Sequence, residues 1–350
     1  MDIKKLRKEF GYTKKDFCDR FEIPYSTLRN WEMGISKCPI YIENMISNIL
    51  SKESAQMPKM DIQYNQKMIN SILKKDIENL TREETTALTT AIIQQCLTEF
   101  NHHDRGGLYG YLQRSMAYNS NRIEGNRLTE DETALLFETG EILSTGETIY
   151  RSKDIEEMSG HFLMFNQMLK TVNEDISEEM IKNFHYQLEA GVFEFRANGY
   201  IPGEYKQREN TVGGIQTSHP KDVRMGMLSL LEDYRKLYSN SVNLSDLSAL
   251  HAKYEKIHPF QDGNGRTGRM ILMRECLHQG IMPFIVQDEN KAKYYVALKK
   301  YQTGEDFSKL TEYFEAEQKS LYDKLQHYMY NYACDKSVFN ESQDTIDIEL

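Results

Sequence analysis

A mainly α protein, with a small all-α unit ahead of a larger helical bundle, is predicted by three features of the sequence. Apolar residues recur at helical spacing from about Leu80 to Tyr330. Within residues 1–55, Ile23-Pro24 separates two short amphipathic stretches, the pattern of helix, turn, helix. Near 193–219, in FEFRANGYIPGEYKQRENTVGGIQTSH, Gly, Pro, Asn and Thr gather, and Gly213-Gly214 marks the turn of a short hairpin centred on Asn210 to Thr217. A length of 350 residues allows one main domain with a smaller companion.

In the first unit, residues 1–55, Ile3, Leu6 and Phe10 form one stripe, and Thr13 can cap a second helix with Phe17, Cys18 and Phe21 on its apolar side. Pro24 suits the start of a third helix, which carries Leu28 and Trp31 on one side and Ser26, Thr27, Arg29 and Asn30 on another. This stretch resembles the helix-turn-helix domains of the lambda-repressor type, which implies that Ser26, Thr27, Arg29 and Asn30 are candidate DNA contacts. Residues 1–55 hold 10 Lys+Arg against 8 Asp+Glu, a small electrostatic footprint, so a protein-docking module stays open beside DNA binding.

Residues 56–79, with Pro58 and weak periodicity, read as a linker; 80–332 form the main domain, and the unpatterned DKSVFNESQDTIDIEL within 333–350 reads as an acidic tail. The net charge of −10 belongs to the larger part and excludes a bulk polyanion binder. No apolar run reaches the roughly 18 residues of a membrane span, and MDIKKLRKEFG lacks a secretory core, so a cytoplasmic protein without a membrane role is expected. Five scattered cysteines without a Cys-x-x-Cys pair suggest neither zinc nor redox work.

The chemistry concentrates in HPFQDGNGR, His258 to Arg266. Upstream, Leu247, Leu250, Tyr254 and Ile257 describe an amphipathic helix that Pro259 discourages from continuing; downstream, Met270, Ile271, Met273 and Leu277 describe another. Gly263 and Gly265 therefore sit at a helix N-terminus, where free N–H groups and the dipole favour an anion. Arg266 and Arg269, three apart, add permanent positive charge. Asp262 is a hard oxygen ligand suited to Mg2+ beside phosphates, and His258 can exchange a proton near neutral pH. Together they suit transfer of a phosphate-containing group to a hydroxyl.

HPFQDGNGRTGR resembles the signature of the Fic family, His-x-Phe-x-Asp/Glu-Gly-Asn-Gly-Arg-x-x-Arg, at every defined position. The resemblance implies a helical-bundle domain with a short β-hairpin flap that binds ATP with Mg2+ and transfers AMP to a Ser, Thr or Tyr hydroxyl of a target protein or of itself. It implies His258 as general base, Asp262 as metal ligand, Asn264 with the Gly263 and Gly265 amides as the phosphate cradle, and Arg266 and Arg269 as ligands of the β- and γ-phosphates. Phe260 anchors the loop. The phosphate-transferring Doc relatives carry Lys where this chain has Gly265, which favours AMP transfer. NTVGGIQTSHPKDV resembles the family's flap, making Thr211, Val212, Gly213, Gly214 and Ile215 the edge that pairs with the target backbone. DENKAKYYVALKKYQTGEDF resembles the segment closing the adenosine pocket, making Tyr294, Tyr295 and Gln302 candidate contacts; the family more often has Asn at the Gln302 position. His161 and His185, in helical segments, read as buried, hydrogen-bonded structural residues.

SNRIEGN, Ser120 to Asn126, resembles the family's inhibitory motif Ser/Thr-x-x-x-Glu-Gly/Asn, here at 120–125. Lying ahead of the signature in the same chain, it implies a class II member in which Glu124 pairs with Arg269 and blocks the γ-phosphate. An autoinhibited protein adenylyltransferase is thus the first expectation. AMP removal from modified protein and a DNA-binding regulator with an ATP-sensing domain are the alternatives, and association as a homodimer stays open.

Overall fold

The computed structural model describes residues 66–142, 149–212, 215–239 and 241–341, and in the N-terminal part residues 3, 4, 7, 14–21, 23–39, 42 and 46. Two compact units result, residues 1–64 and 65–350. In the first, α1 (Lys14–Phe21) and α2 (Tyr25–Glu32) are separated by a turn in which the Ile23 N–H donates to Cys18 O (3.0 Å). Pro24 stands just before α2 with φ −56°, a value its ring imposes. Phe17, Leu28, Ile3 and Ile46 form the core, with Trp31 packed against it. Ser26 and Arg29 are exposed and Thr27 and Asn30 half-buried, while Leu6, Phe10 and Thr13 lie outside the described residues.

The second unit begins earlier than the sequence suggests. Gln66–Ile72, within the stretch read as a linker, forms α3, because Ile69, Ile72 and Leu73 recur three to four apart and are buried. A 3₁₀ turn (Ile77–Asn79) leads to α4 (Arg82–Asn101), started by a capping box between Thr81 and Glu84. Then follow α5 (Leu108–Ile123), α6 (Glu130–Thr139), α7 (Ser152–Lys170), α8 (Glu178–Glu189) and the short α9 (Phe193–Ala197). After the hairpin of β1 (Thr211–Val212) and β2 (Ile215–Gln216) come α10 (Pro220–Tyr238), α11 (Leu244–Ile257), α12 (Asn264–His278), α13 (Lys291–Thr303) and α14 (Ser308–Glu341). The last helix continues to Glu341, into the segment read as tail; residues 342–350 lie outside the described residues. No helix among the described residues is long and apolar enough to cross a membrane.

Two features of this bundle position the site. The first is α5, whose N-terminus is capped from a distance: Glu99 Oε2 accepts the Tyr109 N–H (2.7 Å), and its other oxygen accepts from Gln95 (2.7 Å). Gly107 is required there, since a Cβ would run into the Glu99 carboxylate. The second is α12, which packs against α5, α7, α8 and α11. From Asn264 to Leu277 every residue is buried except Gly265. Among the described residues, Gly265 is therefore the position at which the first turn of this otherwise buried helix can meet something from outside.

α7 and α8 approach closely at Gly160, where a Cβ would collide with the Leu188 carbonyl. Gly160→Ala therefore forces two packed backbones apart and should cost about 3 kcal/mol in denaturant unfolding. Gly191→Ala, with nothing within 4 Å of its added Cβ, should stay within about 0.5 kcal/mol of the parent.

Candidate active site

The loop from α11 to α12 is held by its own side chains. Asn243 and Asp246 fix the start of α11 in a capping box, and His258 ends it in the left-handed region (φ +50°), costly for a residue with a Cβ. Phe260, wholly buried, stacks on the His185 ring at 3.8 Å. His185 accepts the Gly203 N–H at Nδ1 (2.9 Å), so its Nε2 carries the proton donated to Asp262 O (3.1 Å). Asn264 clips the loop shut: its Oδ1 accepts the Phe260 N–H (2.7 Å) and its Nδ2 donates to Phe260 O (2.9 Å). Its side chain thus shapes the cradle from beneath, a use that the motif alone does not reveal. Gly263 precedes α12 at φ +72°, with Glu189 Oε1 only 2.7 Å from where a Cβ would sit.

Several charged groups surround this turn. Burial, and then the Lys206 ammonium, push the His258 imidazole down to about 4 against the opposing pull of Glu124 and Asp262; the nearest Glu255 carboxylate oxygen is 3.9 Å from Nδ1. A neutral imidazole, the form that takes a proton, is therefore present at neutral pH. Asp262 keeps a half-exposed carboxylate. Burial raises it, but Arg266, the Gly263 N–H and Lys153 together hold it below its ordinary value. Its Oδ1 accepts from Gly263 (2.7 Å), and Oδ2 lies 3.9 Å from Lys153 Nζ.

The two arginines stand in different surroundings. Arg266, 1% exposed, is enclosed by Glu157 (2.9 Å), Glu189 (3.2 Å) and Asp262 (3.5 Å). It is committed to these carboxylates rather than free at the opening, because so buried a cation needs compensating charge. Burial in turn pushes the Glu189 carboxyl up to about 7 despite Arg266. Arg269 has a lighter escort: Nε donates to Ser120 Oγ (3.0 Å), and Nη2 to Ser120 O (2.9 Å) and Glu124 Oε1 (2.8 Å). That ion pair lies over the one opening in α12, since a Cβ on Gly265 would strike Glu124 Oε1.

The hairpin forms as expected, with Thr211 opposite Gln216 and Val212 opposite Ile215; Gly213 and Gly214 lie outside the described residues. The adenosine-pocket candidates divide. Tyr294 is buried with its hydroxyl 2.8 Å from His251 Nε2, among Tyr313 and Phe314, and so belongs to the core. Tyr295, on the next helical position, is exposed, with its ring 5.3 Å from that of Tyr294. Gln302 donates to Ala252 O (3.3 Å) and is half-buried, turned to the backbone of α11. His161 is buried as expected, yet neither ring nitrogen finds a hydrogen-bond partner among the described residues. Glu157, Glu189 and Lys206 were not legible in the motifs; a carboxylate on the buried side of a helix was the only hint, at Glu157 beside Met158.

Among the described residues no cluster of three or more His, Cys, Asp or Glu forms a metal site. The donor set nevertheless fits magnesium as it is held beside nucleotides, by one ionised, accessible carboxylate together with phosphate oxygens and water, and Asp262 meets those terms.

Burial holds His161, His185 and His251 down at about 3 and His258 at about 4. All four fold neutral, so their contribution to stability is complete above the ordinary histidine value near 6.5 and is lost as pH falls toward 3. Denaturant unfolding should show stability dropping steadily between about pH 6.5 and 4, and His185→Phe, which keeps the stacked ring, should flatten part of that slope.

Residues 175–277 match the model of the Fic/DOC family. The chain is similar to protein adenylyltransferase fic-1 of Caenorhabditis elegans, 25% identical over 232 residues, 62% of this chain and 44% of that protein. It is 28% identical over 193 residues to protein adenylyltransferase Fic of Drosophila willistoni, 54% of this chain and 36% of that one. The chain thus spans less than half the length of these curated relatives. Among solved structures, a Fic domain containing signaling protein from Bacteroides thetaiotaomicron superposes with a TM-score of 0.51 at 23% identity, covering 76% of this chain and 92% of that one. Fic-1 from C. elegans gives 0.53 at 17% identity, covering 89% and 83%, a likeness of fold. Residues 175–277, which hold the complete signature loop, thus match the Fic/DOC family model, and the helices are arranged as in these neighbours.

Proposed function

We propose that this chain is an autoinhibited protein adenylyltransferase, moving AMP from ATP to a hydroxyl of a protein. The observation that carries the proposal is the Glu124 carboxylate bound to Arg269 over Gly265, the one position of a buried helix's first turn that is not itself buried among the described residues. A helix N-terminus flanked by an arginine is an anion site, and a carboxylate of the chain's own fills it. The names of the curated relatives support ATP and a protein acceptor as the substrates.

With Glu124 displaced, Arg269 and the N–H groups at Gly263 and Gly265 would receive the triphosphate. Asp262 would hold a magnesium ion, which supplies neutralisation of phosphate charge when bound. An extended target segment would pair with the hairpin edge at Thr211 to Ile215, bringing its hydroxyl to His258. The hydroxyl oxygen then attacks the α-phosphorus while His258 takes its proton. The bond from the α-phosphorus to the bridging oxygen breaks, and pyrophosphate leaves with that electron pair. Arg266, inside its carboxylate shell, acts by holding Asp262 ionised and in place.

Incubation with ATP labelled at the α-phosphate tests this directly. Glu124→Gly should incorporate at least about tenfold more label than the parent, an effect of about 1.4 kcal/mol, into itself or lysate proteins. His258→Ala in the same background should abolish incorporation. Equal labelling of the parent and Glu124→Gly would contradict the brake, and labelling that survives His258→Ala would contradict the assigned chemistry.

A further inference from the structure

Lys206 lies between the hairpin and the loop, outside every motif the sequence displays. The residue is 4% exposed, and its ammonium donates to Asn210 Oδ1 (2.8 Å), Thr217 Oγ1 (2.8 Å) and Ile257 O (3.3 Å). Those three acceptors use its three protons. The Lys206 N–H adds a fourth tie, to Pro259 O (2.9 Å). Asn210 and Thr217 are the residues on either side of the hairpin strands, and they also bond each other, Thr217 Oγ1 to Asn210 O (2.8 Å). Asn210 Nδ2 reaches on to Phe260 O (3.1 Å). Ile257 and Pro259 flank His258. One buried residue therefore bonds both ends of the hairpin and both neighbours of the imidazole: its ammonium takes Asn210, Thr217 and Ile257, and its backbone N–H takes Pro259.

A neutral residue of similar length could fill the same space without the desolvation cost of a buried ammonium. The positive charge also bears on the imidazole, being the strongest influence on it after burial. Titratable groups facing His258 from the surrounding elements are Lys206, Glu124, Asp262 and Glu255, the last with its carboxyl pushed up to about 7 by burial, and Lys206 is the one whose charge opposes protonation.

We propose that Lys206 is a positioning residue for transfer: its ammonium fixes the base of the hairpin against the backbone just before His258, while its own N–H holds the backbone just after, so that a strand paired to the hairpin edge and the proton-accepting imidazole share one frame. The inference rests on the transferase reading above and adds to it a residue that touches neither nucleotide nor acceptor. A misplacement of about 1 Å at such a joint is enough to lower transfer about a hundredfold.

The test compares Lys206→Met and Lys206→Arg in the full-length Glu124→Gly chain, with Thr217→Val as a milder variant that removes one acceptor and keeps the lysine. Three readouts are taken: amide hydrogen exchange, the titration of the His258 ring by NMR, and self-labelling from α-labelled ATP alongside ATP affinity by calorimetry. For Lys206→Met, exchange at 208–217 should accelerate at least about tenfold with the helices unchanged. The His258 titration should move up by about one pH unit, a change that lost packing alone would not produce. Labelling should fall at least about tenfold with ATP affinity held within about twofold. Lys206→Arg should restore the titration and most of the labelling, and Thr217→Val should show a smaller acceleration of hairpin exchange. Unchanged hairpin exchange and labelling in Lys206→Met, in a background that labels well, would overturn the inference alone. Absence of His258-dependent labelling with Lys206 intact would overturn the transferase reading and the inference with it. If Lys206→Met did not fold, unaltered exchange and labelling in Thr217→Val would overturn the inference.

Discussion

The structure depends on one constraint: the N-terminus of α12 is sunk in the bundle, and among the described residues its first turn is left unburied at Gly265 alone. The first N–H groups of a helix have no partners within it, and the positive end of the helix adds to their call for an anion. The Asp262 carboxylate takes the Gly263 N–H just ahead of the helix (2.7 Å). The Asn264 clip on Phe260 and the left-handed Gly263 give the approach its shape, and the Glu124 carboxylate occupies the remaining gap. Everything that brings Glu124 there follows from α5, which is capped by Glu99 at one end and joined to Arg269 through Ser120 at the other.

The contrast between the arginines explains why one region can be both rigid and exchangeable. Arg266 is enclosed by three carboxylates from α7, α8 and the loop, so its charge is balanced by residues anchored in separate helices. Arg269 has one carboxylate, on a side chain about a third exposed, together with Ser120. Loss of Glu124 would leave a buried cation short of a partner, and another anion entering at Gly265 would supply it. Under the proposed function that anion is a phosphate group of ATP, so the same arginine that locks the resting state receives the substrate.

Much of this was readable in the chain, for physical reasons that vary with the residue. Pro24, the periodic helices and the hairpin are local features, decided by backbone preferences over a few residues. The chemistry of 258–269 was readable because it is compressed into one loop, where each side chain has few places to go. Glu124 and Arg269, far apart in the chain, were joined only through resemblance to a family pattern, and the structure brings them to 2.8 Å. The tyrosine pair shows the limit. Adjacent positions on a helix point about 100° apart, so Tyr294 entered the core while Tyr295 stayed outside, and composition alone does not decide which turns inward. The acids around Arg266 and the bonds of Lys206 come from distant segments, and Gln66–Ile72 looked like a connector because its apolar face is only a few residues wide.

The most direct measurement is a crystal structure of the Glu124→Gly chain with magnesium and a non-hydrolysable ATP analogue. The account predicts the triphosphate over Gly263 and Gly265, its terminal phosphate on Arg269 in place of the lost carboxylate, and the α-phosphorus facing the His258 ring. A nucleotide bound elsewhere, with the first turn of α12 and Arg269 unoccupied by phosphate, would contradict it.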